Sequence, residues 1–406
     1  MRNKEKKVSV WGAPSRFWYF LVALISKLLL KILFRHKVEK KVKLEKGKPY
    51  VFISHHASLI DAIMLIDAVY PIKANVVIGK VFVIRKSLKF ISNALKCIPK
   101  SQFAIDLPAI RAMQSVTADN RAIAIYPEGK VSIDGRQLYY LPLGTSKLIK
   151  MLNAEVVMVT SSGSFCAKPK HGASFRFGKL KTVVDTLLTR EQVKELASTE
   201  IHNKINKALE FNDNIYQQEN NLRFKCKTPA LGFHRSLYKC PKCGVDYQMR
   251  STNTHLICDS CGNSVELTQY GKLIPEEGST AFERIDLWNE YQRQACREEL
   301  QADDFYIQTP CDCSYFEEGM PEFEQVGSGI AYIDKEKIGY KGTFKGEPYE
   351  HSIPLKSLHT ITAKTRECID LPYKDGILNL YFTENKYAAK FELLVEENYR
   401  LNVLHQ

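Results

Sequence analysis

The sequence predicts an α/β domain in its first half, followed by a small cysteine-rich unit and a β-rich C-terminal domain. Three observations lead to this fold class. Short apolar runs alternate with helical stretches as far as Phe211, which is the pattern of an α/β layer fold. Two CxxC pairs follow between residues 240 and 261, and after residue 302 the apolar runs are short and broken by Gly and Pro. A chain of 406 residues also exceeds the roughly 100–200 residues of one ordinary domain.

Composition and charge narrow the function classes. The chain has 45% apolar and 25% charged residues, which is ordinary for a folded protein and excludes a disordered or polytopic membrane protein. Its net charge of +13 is concentrated in residues 1–50, which carry 14 Lys or Arg against three Glu. Such a basic segment favours an anionic membrane surface or nucleic acid as its partner. The eleven cysteines have no secretory signal in front of them, so a reducing, cytosolic compartment is expected.

Residues 17–34 are apolar except for Ser26, Lys27 and Lys31, and the segment approaches about 20 residues, the length that spans a membrane. On a helix the two lysines fall on one side with the flanking arginines, which leaves a wide apolar face. This layout predicts an interfacial helix that binds membrane phospholipids, peripheral or monotopic, on the cytoplasmic face of the cell membrane. The alternatives are a helix packed on the protein's own core and a true span with Lys27 near mid-bilayer.

Candidate strands and helices take turns within the α/β domain. Strands are predicted at 50–54, 75–78, 121–126, 156–160 and 174–177, and helices at 59–70, 86–95, 108–118 and 144–152. Thr189 and Gln192 form a capping-box signature, which predicts the start of a helix that runs to Phe211. The polar residues 212–221 are interpreted as a linker that follows it.

The sharpest local feature is the segment SHHASLID at residues 54–61, which follows a predicted strand and opens a predicted helix. A histidine that acts as a base needs a carboxylate to fix its tautomer and to stabilise the charged ring. Only His56 has the spacing, with Asp61, and the pair requires His56 to lie on the turn before the helix. Taken alone, Asp61 also fits a plain helix-start role. Ser58 lacks a base of its own and is interpreted as a capping or packing residue.

A second segment, YPEGKVS at residues 126–132, follows another predicted strand. Its Pro and Gly predict a tight turn that presents Glu128, backbone amides and Lys130 to a polar ligand. Together the two segments resemble the blocks of the glycerophospholipid acyltransferase family, which includes the lysophosphatidic acid acyltransferases. That family has Asn-His-x4-Asp in its first block and Phe-Pro-Glu-Gly-Thr-Arg-Ser in its third, and the resemblance extends over residues 15–215.

The resemblance implies acyl transfer from a thioester, acyl-CoA or acyl carrier protein, to the hydroxyl of a lysophospholipid or glycerol-phosphate acceptor. It assigns His56 as the general base, Asp61 as the residue that orients it, and Glu128 with Gly129 as residues that help to hold the glycerol-phosphate. Lys100 takes the place of the basic residue that ends the family's second block and contacts phosphate. No enzyme nucleophile is required, because His56 removes the proton of the attacking hydroxyl.

The chain departs from the family pattern at three positions. His55 replaces the usual Asn, Val131 stands where the family has its phosphate-binding Arg, and Met158 replaces the Pro of the fourth block. Lys130 or Arg136 could supply the missing charge, although lysine lacks the bidentate fork of arginine. The sequence therefore defines the acyl-transfer step better than the acceptor headgroup.

The two CxxC pairs form a third constellation, and a glycine directly follows each pair. Their four thiolates can surround one structural Zn²⁺ tetrahedrally; the residues are Cys240, Cys243, Cys258 and Cys261. A redox motif needs one CxxC at a helix start in a thioredoxin-like unit, so the duplicated form disfavours it. We expect a zinc ribbon that is structural or binds a protein partner, and its modest basic excess disfavours nucleic acid.

The predicted domain plan is an acyltransferase domain at 1–218, a zinc ribbon at 226–272, a linker helix at 280–300 and a β-rich domain at 302–406. C-terminal strands are predicted at 329–333, 337–340, 357–362, 376–382 and 388–391, with a closing helix at 393–404. This module resembles a pleckstrin-homology or other lipid-binding domain, and it or the ribbon offers a surface for a protein partner. Two other classes stay open: a non-catalytic lipid-binding regulatory protein with a partner-binding ribbon, and a nucleic-acid-binding ribbon protein.

Overall fold

Three sheets follow one another along the chain and divide it into an α/β region, a small antiparallel region and a larger antiparallel region. The computed structural model describes residues 11–84, 86–103, 105–138, 140–317, 320, 322–364, 367–374, 376–384 and 388–404. Within those residues the sheets have seven, four and seven strands. This order confirms the predicted succession of an α/β region and a C-terminal β-rich region.

The first helix, α1 (Arg16–Phe34), starts at the N-cap Ser15, whose side chain accepts a hydrogen bond from the amide of Trp18. One face of α1 packs on the protein and buries Tyr19, Leu30 and Phe34. The other face exposes large apolar side chains; they include Phe17, Phe20, Leu24, Leu28 and Ile32. Among the described helices, α1 is the one that is long and apolar enough to cross a membrane. The helix thus combines a core-packing face with an apolar outer face.

The first sheet is mixed and lies at the centre of the α/β region. Its strands are β1 (Lys37–Lys40), β2 (Tyr50–Ile53), β3 (Ala74–Gly79), β4 (Ile98–Lys100), β5 (Ala122–Ile125), β6 (Glu155–Ser162) and β7 (Lys181–Leu188). They lie in the order β1-β7-β6-β2-β5-β3-β4, and all neighbours pair in parallel except β6 and β7. Every residue of β2 and β5 is buried, as expected for parallel strands covered on both faces.

Helices cover this sheet on both sides. They are α2 (Asp61–Val69), α3 (Lys80–Ile84), α4 (Lys86–Ala94), α5 (Leu107–Ala118), α6 (Gly144–Leu152), α7 (Ser164–Ala167), α8 (Arg190–Glu195), α9 (Ser198–Leu209) and α10 (Asp213–Glu219). The capping box of Thr189 and Gln192 is present at the start of α8. The predicted continuous helix is broken after Glu195, where Leu196 and Ala197 adopt extended backbone.

Two further predictions for this region are wrong. Residues 174–177 form no strand, and only Phe177 makes an isolated bridge, to Lys225. The expected linker at 212–221 contains α10, whose Asp213 is fully buried and accepts hydrogen bonds from the amides of Gly163 and Phe165 at 2.5 and 2.7 Å. The carboxylate of Asp213 thus satisfies backbone amides inside the fold. Composition alone does not distinguish a polar residue in such a buried role from one exposed to solvent.

The second sheet contains the cysteine pairs. A 3₁₀ turn (Phe233–Arg235) precedes β8 (Met249–Ser251), β9 (His255–Cys258), β10 (Ser264–Leu267) and β11 (Leu273–Pro275), which pair antiparallel in the order β11-β10-β9-β8. The predicted linker helix is present as α11 (Ile285–Gln301), and its Trp288 is buried with Leu256 and Val265 of the sheet. Ala57 and Phe165 of the α/β region belong to the same core, so this unit is packed directly on the first.

The third sheet is entirely antiparallel. It consists of β12 (Tyr306–Glu317), β13 (Glu324–Asp334), β14 (Lys337–Phe344), β15 (Glu347–Pro354), β16 (Thr362–Lys364), β17 (Cys368–Tyr373) and β18 (Gly376–Phe382), with a 3₁₀ turn at Leu355–Ser357. The order is β15-β14-β13-β12-β18-β17-β16. The chain then forms α12 (Ala388–Tyr399) and a π-helical turn (Arg400–Leu404).

Two strand predictions are wrong in this region. The expected strand at 357–362 gives way to the 3₁₀ turn and to β16, which begins only at Thr362. Residues 388–391, also expected as a strand, open α12, in which every residue from Ala388 to Asn398 is buried. A helix that is buried all round has no amphipathic period, so periodicity cannot separate it from a buried strand.

Candidate active site and metal centre

The structure brings His56 and Asp61 together at the carboxyl end of β2. His56 lies in the loop after the strand, and Asp61 is the first residue of α2. The distance from His56 Nδ1 to Asp61 Oδ2 is 3.2 Å, and the side chains are 19% and 0% exposed. The amide of Ser58 also donates to Asp61 Oδ2, at 2.7 Å, which fixes the carboxylate. This arrangement holds the ring by Nδ1 and leaves Nε2 as the nitrogen that can take a proton from a substrate.

Glu128 fixes the loop that carries His56. Its Oε1 accepts a hydrogen bond from the amide of His56 at 2.9 Å, and its Oε2 accepts one from the amide of Leu138 at 3.0 Å. Burial raises the pKa of Glu128, and the two amides oppose that shift. The amide of Ser132 donates to the His56 carbonyl at 2.8 Å. Each oxygen of Glu128 therefore accepts a hydrogen bond from a backbone amide, one of them that of His56, and the glycerol-phosphate contact expected for Glu128 stays a prediction.

Gly129 follows β5 and Lys100 ends β4, and β3 lies between these two strands in the sheet. Gly129 has φ +70°, and a Cβ added there would lie 3.4 Å from Cε1 of Phe103. Gln102 donates to the carbonyl of Gly129 at 2.9 Å, which ties the segment after β4 to the turn after β5. Lys100 is the last residue of β4, and its Nζ donates to the carbonyl of Ser101 at 2.8 Å. Burial lowers the pKa of Lys100.

Lys130 is buried and paired with the C-terminal helix. Its Nζ lies 2.5 Å from Glu392 Oε1 and also contacts Glu396 Oε1. Burial acts to lower the pKa of Lys130, but the two carboxylates raise it above its usual value. Arg136, the other candidate for the missing charge, pairs with Asp134 at 2.8 Å. The phosphate contact predicted for Lys130 would require its carboxylate partners to be displaced.

Sequence reasoning missed Tyr126 and gave no structural role to His55. The Tyr126 ring lies 4.4 Å from the His56 ring, and its hydroxyl finds no hydrogen-bond partner among the described residues. Burial raises the pKa of Tyr126 well above its usual value. His55 Nε2 contacts the carbonyl of Ser161 at 2.6 Å, and the ring stacks on Phe211 at 4.3 Å. The adjacent histidines thus differ: His55 is a packed structural residue, whereas His56 faces the aspartate. Tyr126 could have been recognised as a site residue from its place directly after β5, the strand that pairs with β2.

The four predicted metal-ligating cysteines form one cluster. Their sulfur atoms all lie within 4.8 Å of one another, with 3.7 Å between Cys240 and Cys261 and 3.8 Å between Cys243 and Cys258. These distances are too long for a disulfide, whose S–S bond is about 2.05 Å. A tetrahedral site with Zn–S bonds of about 2.3 Å places neighbouring sulfurs about 3.8 Å apart. The donor set and its spacing therefore fit a metal ion of this size.

Residues 35–164 match the family model described as Acyltransferase. The matched span contains the His56 loop, β4 and the turn after β5, and it confirms that the chain is an acyltransferase enzyme. Among solved structures, the chain is similar to the 1-acyl-sn-glycerophosphate (LPA) acyltransferase PlsC from Thermotoga maritima. The identity is 15% and the TM-score 0.41, over 47% of this chain and 76% of that chain. No curated protein matches the chain.

Proposed function

We propose that the protein transfers a fatty acyl group from an acyl thioester to the hydroxyl of a lysophospholipid or glycerol-phosphate acceptor such as lysophosphatidic acid. The observation that carries the proposal is the pairing of His56 with Asp61 at 3.2 Å inside the span that matches the acyltransferase family. The acyl donor is acyl-CoA or acyl carrier protein, and Lys100 and Lys130 are the residues proposed to attract the acceptor phosphate.

The proposed mechanism needs only this pair. Asp61 accepts a hydrogen bond from Nδ1–H of His56 and so keeps the lone pair on Nε2. Nε2 takes the proton of the acceptor hydroxyl as its oxygen attacks the thioester carbonyl. The C–S bond then breaks, and the departing thiolate receives the proton from the His56 ring, whose charge Asp61 stabilises meanwhile. Ser58 Oγ donates to the carbonyl of Lys168 at 2.7 Å, which supports its interpretation as a packing residue.

An acyl-transfer assay tests the proposal. Full-length protein in detergent is incubated with lysophosphatidic acid and with labelled acyl-CoA or labelled acyl carrier protein. We expect labelled phosphatidic acid with at least one donor and none when lysophosphatidic acid is omitted. Absence of labelled product with both donors would exclude this reaction.

We further propose that the outer face of α1 attaches the protein to the cytoplasmic face of a membrane. The Trp18 ring contacts Phe90 of α4 at 4.8 Å, and Phe90 and Ile91 are exposed, so the apolar surface extends onto a second helix. The basic N-terminus adds attraction to anionic phospholipids. The seven-stranded antiparallel sheet with α12 supports a pleckstrin-homology-like interpretation of the C-terminal region. Binding of a protein partner by this region or by the ribbon is proposed as well.

Two substitutions on the outer face test this attachment without opening the core. Leu28→Glu combined with Ile32→Glu should abolish sedimentation with anionic vesicles, because both side chains are exposed. Ile274→Glu, an exposed apolar position on β11, serves as the matched control and should sediment like the unaltered protein. Equal sedimentation of all three proteins would refute the attachment by α1.

Cys240, Cys243, Cys258 and Cys261 are proposed to hold one structural Zn²⁺. Metal analysis of the purified protein should find about one zinc per chain and none after Cys240→Ser with Cys258→Ser, whereas Cys226→Ser should keep it. Zinc loss should unfold the ribbon, since a structural metal contributes folding energy to the unit around it. Because Ala57 packs in the ribbon core, activity should fall as well. A zinc content unchanged by the double substitution would exclude this site.

A further inference from the structure

Glu392 of α12 bridges two lysines that lie far from it in the sequence. Its Oε1 is 2.5 Å from Lys130 Nζ, and its Oε2 is 3.1 Å from Lys170 Nζ. The side chains of Lys130, Lys170 and Glu392 are 3%, 10% and 0% exposed. The carboxylate of Glu392 therefore lies between two buried ammonium groups.

The two lysines belong to two loops that form hydrogen bonds with the turn at residues 56–58. Lys130 lies two residues before Ser132, whose amide donates to the His56 carbonyl at 2.8 Å. Lys170 lies two residues after Lys168, whose carbonyl accepts from Ser58 Oγ at 2.7 Å. Both lysines therefore lie in segments that contact the turn carrying the proposed base.

The chemistry of this pair suits a phosphate monoester. Such a group carries about 1.5 to 2 negative charges at neutral pH and three oxygen acceptors, so two lysines can share it. The family's phosphate-binding arginine is replaced here by Val131. Because a lysine binds as a point charge without a fork, two of them are needed to approach what one arginine provides.

Space beside Lys130 is limited in this structure. The cavity bounded by Glu128, Lys130, Ser132 and Arg293 has a volume of about 10 Å³. A cavity of that size holds about one water molecule. An acceptor phosphate could therefore reach Lys130 only if the carboxylates of α12 moved away.

We propose that Lys170 joins Lys130 in the subsite for the acceptor phosphate, and that Glu392 occupies this subsite in the state described. This inference rests on the proposed function, since the phosphate is that of the lysophospholipid. The acceptor and α12 compete for the same two lysines. Removing one partner of a buried ion pair is costly, and the incoming phosphate offsets that cost by replacing one anion with another.

A purely structural role for the network is the rival interpretation. Glu392 Oε2 also accepts from the amide of Ala363 at 2.8 Å, and Arg293 pairs with Glu396 and Glu397 at 2.6 and 2.8 Å. On that view, removing the Glu392 charge lowers stability and leaves the affinity for the acceptor unchanged. Competition predicts instead that the affinity for phosphate rises.

Steady-state kinetics on the full chain separate the two interpretations. Glu392→Gln keeps the size of the side chain and should lower KM for lysophosphatidic acid several-fold. Lys170→Ala should raise that KM roughly tenfold or more, because it removes a charged hydrogen bond to the phosphate; Lys170→Gln replaces it if the alanine variant fails to fold. The matched control is Glu397→Gln, on the same helix and paired with Arg293 and Arg297, which should leave KM unchanged. Neither Glu392→Gln nor Lys170→Ala should alter KM for monoacylglycerol, because this acceptor lacks the phosphate.

Binding of glycerol 3-phosphate provides a readout that does not depend on acyl transfer. It should raise the Tm of the Glu392→Gln protein more than that of the unaltered protein, and Lys170→Ala should abolish the shift, with glycerol as the uncharged control. If the protein transfers acyl groups and Lys170→Ala keeps the original KM, the subsite is wrong and the proposed function stands. If no transfer occurs, the proposed function fails, and the Tm shifts alone decide whether the lysines bind a phosphate.

Discussion

The turn after β2, which carries His56, lies beside the turn after β5, which carries Lys130. The two turns are held by different parts of the chain. His56 is fixed by Asp61 at five residues' separation and by Glu128, all within the α/β region. Lys130 is fixed by Glu392, which follows it by 262 residues. The comparison indicates that the hydrogen bonds of the catalytic pair lie within one region, whereas recognition of the acceptor also depends on how the C-terminal region is placed.

A second contact from the C-terminal region strengthens this contrast. The ring of His359 lies 5.4 Å from Phe103, the residue that packs beside Gly129. Burial, and then the charge of Lys130, lower the pKa of His359 to about 4. The C-terminal region therefore places the carboxylates of Glu392 and Glu396 against Lys130. It also places a neutral histidine, His359, against Phe103.

Asp61→Asn should have the largest effect, because it acts on the chemical step itself. The amide can neither hold the required tautomer nor stabilise the charged ring, so kcat should fall by about a hundredfold to ten-thousandfold. Asp67→Asn is the matched control, since Asp67 pairs with His36 at 3.0 Å outside the site. Turnover by Asp61→Asn that equalled turnover by Asp67→Asn would remove Asp61 from the mechanism.

The pH dependence of the free energy of unfolding should show whether His359 is buried in its neutral form. The pKa of a histidine in an unfolded chain is about 6.5, and the folded state lowers it to about 4. Stability from this residue is therefore fully present above pH 6.5 and is lost as the pH falls towards 4, by about 3 kcal/mol at most. Urea unfolding at several pH values should show a shallower acid loss for His359→Phe. Identical slopes in both proteins would contradict a buried, neutral His359.

Substitution of Lys100 or Lys130 should separate binding from chemistry. Lys100→Ala and Lys130→Ala should raise KM for lysophosphatidic acid about tenfold with a smaller change in kcat, provided their contacts are equal in the ground and transition states. Lys130→Ala should also lower Tm, because it leaves Glu392 and Glu396 unpaired by this lysine. Lys147→Ala, a lysine on α6, provides the control for loss of a positive charge. A loss confined to kcat in either variant would argue against phosphate binding by that lysine.

His55→Asn should have the smallest effect. It introduces the residue that the family usually has, and it removes only the 2.6 Å contact with the Ser161 carbonyl and the stacking on Phe211. Stability should fall by about 1 kcal/mol, and kcat should stay within about twofold. A loss of activity as large as that expected for Asp61→Asn would mean that His55 takes part in the chemistry.

Local sequence patterns predicted the parts of the molecule that depend on neighbours in the chain. The strand at 50–54, the His56 and Asp61 pair, the Thr189 capping box and the cysteine cluster each rest on residues within about 20 positions of one another. These features follow from backbone geometry and donor chemistry, which operate over short stretches.

The parts that sequence reasoning missed depend on distant partners. Asp213 lies in a polar stretch and is buried because the amides of Gly163 and Phe165 need an acceptor. The segment 388–391 was predicted as a strand because α12 is buried on all sides, which removes the amphipathic signal of a helix. The bridge from Glu392 to Lys130 and Lys170 joins three separate regions, and no spacing along the chain predicts it.

The kcat of His56→Ala, measured on the full chain with lysophosphatidic acid and the effective acyl donor, tests the central claim most directly. If His56 is the general base, kcat should fall by about a hundredfold to ten-thousandfold relative to the unaltered protein. The Tm should change little, because the ring of His56 is partly exposed and its backbone contacts to Glu128 and Ser132 remain. Near-normal turnover in a folded His56→Ala protein would contradict the assignment of His56 and with it the proposed mechanism.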